Sequence, residues 1–71
     1  MDRTATEAAV KIFLIEIANR LEKSMGIAKA ACAEAGNVEG AVEIILDIEQ
    51  PAYEASRLLD AASLLNRLLL G

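Results

Sequence analysis

Glu39, Glu43 and Asp47 stand at i, i+4 and i+8, Glu49 and Glu54 follow, and no Lys or Arg occurs between residues 37 and 56. On a helix that spacing stacks three carboxylates along one edge. Such a ridge suits docking against a basic protein surface, or holding a hard cation through oxygen. It also reads as a solvated helix face. Like charges one turn apart cost only a few tenths of a kcal/mol, acidic groups are favoured at a helix N-terminus, and Lys23 and Lys29 stand across the fold to offset them. The cation reading is the weakest, because di-iron bundles pair Glu with Glu-x-x-His and the chain has no His. Tyr53, two residues after the only Pro and within reach of Arg20, is either a packing residue at a kink or an exposed recognition aromatic.

Other chemistry is closed by inventory. With no His and one Cys, a His-bearing zinc site, a haem axial His, a Ser-His-Asp triad and an internal disulfide are all excluded. Ser24, Ser56 and Ser63 have no His as base and lie outside any nucleophile-elbow sequence. Neither a phosphate-binding Gly loop nor a dinucleotide fingerprint occurs. No enzyme and no cofactor are expected.

Seven basic and eleven acidic residues give a net charge of −4, with all of the excess beyond residue 36. That balance disfavours nucleic acid and anionic membrane, where Lys and Arg supply the attraction. Cys32, in Ala30-Ala31-Cys32-Ala33, reads as a small core residue in a reducing compartment, so a cytoplasmic protein is expected. The most apolar N-terminal window, Ala8 to Ala18, is interrupted by Lys11 and Glu16, which fits neither a signal peptide nor a membrane span.

The elements that must position these groups are helices. The 71 residues are 55% hydrophobic and 25% charged, with fourteen Ala, ten Leu and a single Pro. This is all-α composition in one small domain. Thr4-Ala5-Thr6-Glu7 has capping-box spacing. Apolar positions recur at Val10, Leu14, Ile17, Leu21, Ala28, Ala31 and Ala35, in phase through Gly26, which predicts one helix over about 4–35. Glu7 to Lys11 and Glu16 to Arg20 add i,i+4 pairs. Gly36-Asn37 suits a left-handed helix end followed by an N-cap. The second half repeats the stripe at Ala41, Ile45, Ile48, Ala52, Ala55, Leu59, Ala62 and Leu69, predicting a helix over about 38–70 with a kink near Pro51.

Folded at 36/37, these helices form a long antiparallel hairpin that sets side by side residues whose numbers add to about 73. Leu14 is then expected against Leu59, Leu21 against Ala52 and Ala28 against Ile45. The alternative is a compact bundle of three or four short helices broken at Gly26, Gly36 and Pro51. A hairpin leaves apolar residues over. Around Val10–Ala18 and Leu58–Leu70 they nearly encircle the helix, as in a buried helix. The expected resolution is a homodimer, a four-helix bundle with Val10, Ile12, Phe13, Ile15, Leu64 and Leu68 in its interface.

One resemblance bears on function. Met25-Gly26-Ile27, then Gly36-Asn37-Val38-Glu39-Gly40-Ala41-Val42-Glu43 and Ile44-Ile45-Leu46, about 22 residues in all, resembles parts of the ubiquitin-associated domain and the similar N-terminal module of elongation factor Ts. That resemblance implies a compact three-helix module that binds ubiquitin or another protein. Ile27 stands where the family has an aromatic residue, and the stretch from Met25 to Asn37 is shorter than the family's. From the residues themselves we expect a non-enzymatic regulator or adaptor that pairs with itself and docks on a basic protein through Glu39, Glu43, Asp47 and Tyr53. A ubiquitin-associated-like binding module is the alternative.

Overall fold

The computed structural model describes residues 2–70, and they are helical almost throughout. α1 spans Arg3–Ala33, α2 Val38–Leu46 and α3 Glu49–Leu70, with no strand among the described residues. α2 and α3 together form a bent arm that folds back along α1, so the molecule is a helical hairpin of 53 × 14 × 13 Å.

The first helix starts a little earlier than its sequence signals suggest. Asp2, not Thr4, is the N-cap, its carboxylate accepting from the Thr4 N–H at 3.0 Å. The Thr6 hydroxyl donates to the Asp2 carbonyl, and Arg3 pairs with Glu7 at 2.9 Å. Asp at the cap satisfies a free N–H and places a negative charge at the positive end of the helix dipole, whereas Thr offers only the first of these.

Gly26 lies inside α1, and a methyl added there would meet nothing within 4 Å. The helix passes through it unbroken, which removes the Met-Gly loop that a ubiquitin-associated fold needs, and the extended shape departs from a compact bundle. At the far end α1 stops at Ala33 rather than 35. Glu34, Ala35 and Asn37 donate to the carbonyls of Ala31, Cys32 and Glu34. These i→i−3 bonds close the last turn with right-handed backbone, and among the described residues no Gly has positive φ. The left-handed Gly36 expected at that point does not occur. Asn37 does cap α2, its side chain accepting from the Gly40 N–H at 3.2 Å.

In the second half Pro51 marks a break as well as a bend. Its ring excludes the carbonyl of the residue four positions before it, Asp47, from helical geometry. The chain accordingly turns at Asp47 and Ile48, whose N–H groups donate to Ile44 and Ile45. Pro51 then falls in the first turn of α3, where its missing N–H costs no helical bond. It is fully buried against the hairpin.

The buried positions between the two arms are small or polar, and the larger apolar ones are only half-buried. Thr6, Ala31, Pro51, Ala55 and Ala62 are buried, with Ala62 8% exposed, while Val10, Phe13, Ile17, Ser24 and Leu58 are half-buried. Arg20 reaches Glu54 at 3.8 Å, and the Arg3 guanidinium reaches the Leu69 carbonyl at 3.5 Å. Both pairs fit the expected register, their numbers adding to 74 and 72. The expected facing pairs do not fill the contact. Leu14, Leu21, Ala52 and Leu59 stand level along the hairpin but are turned to its flank and exposed. The stripe of α1 that faces the other arm runs through Thr6, Val10, Phe13, Ile17, Ser24 and Ala31 instead.

Candidate functional site

The two flanks of the hairpin differ in chemistry. On one, the Arg20 guanidinium pairs with the Glu16 carboxylate one turn before it and with Glu54 of α3, joining the helices across a hollow lined by Asn19, Arg20, Lys23 and Glu54. Ser24 donates to the Arg20 carbonyl beneath it. This flank carries polar groups through the middle of the molecule.

On the opposite flank the α1 positions from Leu14 to Ala35 carry no charge, and the same repeat meets charge only at Lys11 and Glu7 towards the open end. At the turn end, Ala28, Ala31, Cys32 and Ala35 form one wall of an apolar groove of about 410 Å³, with Val42 and Ile45 of α2 as the other. Small side chains make it a groove, since four of its lining residues are Ala. From Ala28 the helical repeat of seven leads back along α1 to Leu21 and Leu14 on the same face, with Met25 and Ala18 filling the alternate positions. From Ile45 the same step leads to Ala52 and Leu59. Leu21 and Leu59 are 55% and 57% exposed. Leu14, Ala18, Leu21, Met25, Ala28 and Cys32 thus form an unbroken 4-3 seam that the hairpin itself does not cover. Cys32, expected in a core, is instead exposed on the groove wall as a free thiol.

The acidic residues lie on α2 and the bend. Glu39 sits in the first turn of α2, Glu43 one turn on, and Asp47 is its C-cap. All three are exposed, and among the described residues no ion pair reaches them, from Lys23 and Lys29 or from any other cation. Tyr53 makes no hydrogen bond to Arg20, whose guanidinium is held by Glu16 and Glu54. Instead Tyr53, 62% exposed, lines a hollow of about 400 Å³ with Leu46, Asp47, Glu49 and Gln50, so Asp47 and Tyr53 come together at the bend. No group of three or more His, Cys, Asp or Glu able to hold a metal ion occurs among the described residues.

Of the residues expected at a dimer interface, Val10 and Phe13 are half-buried within the hairpin, whereas Ile12, Ile15, Leu64 and Leu68 face outward. Leu68 lines a small hollow at the open end with Arg3, Thr6 and Leu69. The residues that sequence reasoning passed over are Leu14, Leu21, Met25, Val42 and Leu59, which it placed inside the hairpin or left unassigned. Their signal was present in the 4-3 spacing from Leu14 to Ala35.

No protein-family model matches the chain, and neither a curated protein nor a solved structure matches it. Among the described residues no helix is long and apolar enough to cross a membrane.

Proposed function

We propose that this chain is a non-enzymatic helical protein that works as a homodimeric four-helix bundle in the reducing cytoplasm, as a regulator or adaptor that docks on a basic protein. The supporting observation is the exposure of its apolar side chains. Fourteen large ones are more than a third exposed, while the buried set among the described residues is Thr6, Pro51 and three alanines. Soluble monomers rarely carry apolar patches of that extent, and a second copy covers those on the flank it packs against. The exposed, unpaired ridge of Glu39, Glu43 and Asp47 beside Tyr53 supplies charge and an aromatic anchor for the partner. The same surface supports the non-enzymatic reading, since Glu39, Glu43 and Asp47 stand open to water and the chain has no His to serve as a base.

Light scattering at micromolar concentration tests the dimer and should return twice the 7.6 kDa chain mass. A monomer at that concentration would contradict the reading. Capture of a basic partner that is lost in a Glu43→Lys/Asp47→Lys variant would support the docking half. Unchanged affinity at low salt, where surface charges are least screened, would remove it.

A further inference from the structure

We infer that the uncovered flank is where a second copy of this chain packs, antiparallel, with α1 against the partner's α1 and the two-fold axis passing near Met25. The inference rests on the dimeric reading above and adds to it a face, a direction and a register.

Area supports a second copy as the occupant. A compact monomer of 7.6 kDa presents about 4,300 Å² to solvent. This chain presents 5311 Å². The excess of roughly 1,000 Å² matches what each partner contributes to a stable interface, about 800 Å².

Charge selects the face. Covering the other flank would strip water from Glu16, Arg20, Lys23 and Glu54, and desolvating ions is costly even when they are paired. The seam from Leu14 to Cys32 has no ion to strip. Its 4-3 spacing is the pattern that packs against another helix by knobs into holes.

Shape selects the direction. A two-fold contact uses the same patch on both copies, so the patch must be complementary to itself. This one is: its turn end is the groove walled by Ala28, Cys32, Ala35 and Val42, and towards the open end it carries Leu14, Leu21 and Leu59 as a ridge. Antiparallel stacking lays the ridge of each copy in the groove of the other. Leu14 then meets the partner's Ala35, Leu21 meets the partner's Ala28, and Leu59 meets the partner's Val38. Stacking with both turn ends together would set ridge on ridge and leave the two grooves facing each other unfilled. The midpoint between Leu14 and Ala35 lies at Met25, about 16 Å along α1 from either.

Two measurements test this. In a Cys32→Ser background, Met25→Cys should close a disulfide between copies on mild oxidation, since the axis brings the two positions within bridging distance. Ile12→Cys, on the other flank, should stay uncrosslinked. Leu21→Glu should raise the dimer dissociation constant by more than about a hundredfold, as an unpaired charge in a dry interface does, and Ile12→Glu should change it little. The disulfide readout decides the matter if Leu21→Glu fails to fold. A dimer that crosslinks through Ile12→Cys and not through Met25→Cys would overturn this face while leaving the dimeric reading in place. A wild-type chain that is monomeric by light scattering would overturn both.

Discussion

The two flanks of the hairpin are built on the same helices and differ in what they ask of their surroundings. One crosses the gap between α1 and α3 with Arg20, held by Glu16 and Glu54, so that covering it would strip water from ions. The other carries Leu14, Leu21, Met25, Val42 and Leu59 with no charge among them and needs cover. The difference teaches that a hairpin can be complete in its backbone and half complete in its burial. Its buried positions are Thr6, Pro51 and three alanines, with Val10, Phe13, Ile17 and Leu58 only half-buried, and Ala buries little area. Most of the large side chains that could supply hydrophobic stabilisation lie outside.

The comparison can be broken first at the spine that both flanks share. Ala62→Asp places an unpaired carboxylate where 8% of the residue is exposed, and should cost about 3 kcal/mol or more in urea unfolding. A loss under about 1 kcal/mol would mean that α1 and α3 are not packed as described. Next in size is the charged flank. Arg20→Ala removes its link between helices and should cost about 1 kcal/mol, less at high salt because the partners are part exposed. A cost that salt leaves unchanged would assign the effect to lost packing of the Arg stem instead.

A position outside the contact between the arms sharpens the contrast from the other side. Gly26→Ala adds a methyl that meets nothing and should raise stability by up to about 1 kcal/mol through helix propensity alone. Destabilisation with loss of helicity would show that α1 breaks there. The smallest effect is expected at the acidic ridge. Glu43→Lys/Asp47→Lys should shift folding by no more than about 0.5 kcal/mol, since these side chains make no ion pair and the change relieves repulsion. A larger loss in a denaturant titration would give the ridge a structural role.

How far the fold could be read in advance followed the range of each signal. The turn at Asn37 and the break near Pro51 were legible because a cap side chain and a proline ring act on backbone within four residues. The hairpin register was legible because the turn sets it. Which stripe of α1 faces the other arm was not. Two apolar stripes run side by side, Val10-Ile17-Ser24-Ala31 and Leu14-Leu21-Ala28-Ala35, and hydrophobic periodicity scores them alike. The structure uses the first inside, with Thr6 and Ser24 in the contact. Asp2 in place of Thr4 was a choice between two competent caps. Of the candidate site, the exposure of Glu39, Glu43 and Asp47 was legible, whereas Tyr53 stood between packing at the kink and exposure. The charge-free seam was not legible, since Leu14, Leu21 and Leu59 had already been assigned to the hairpin interior.

The central claim is that two chains lie side by side along the uncovered flank, and X-ray scattering in solution tests it in one measurement by giving mass and length together. Antiparallel packing about an axis near Met25 predicts twice the 7.6 kDa chain mass with a long dimension of about 70 Å, the 53 Å of one hairpin plus a stagger of roughly 15 Å. A single-chain mass, or a doubled mass with the length nearly doubled as well, would contradict it.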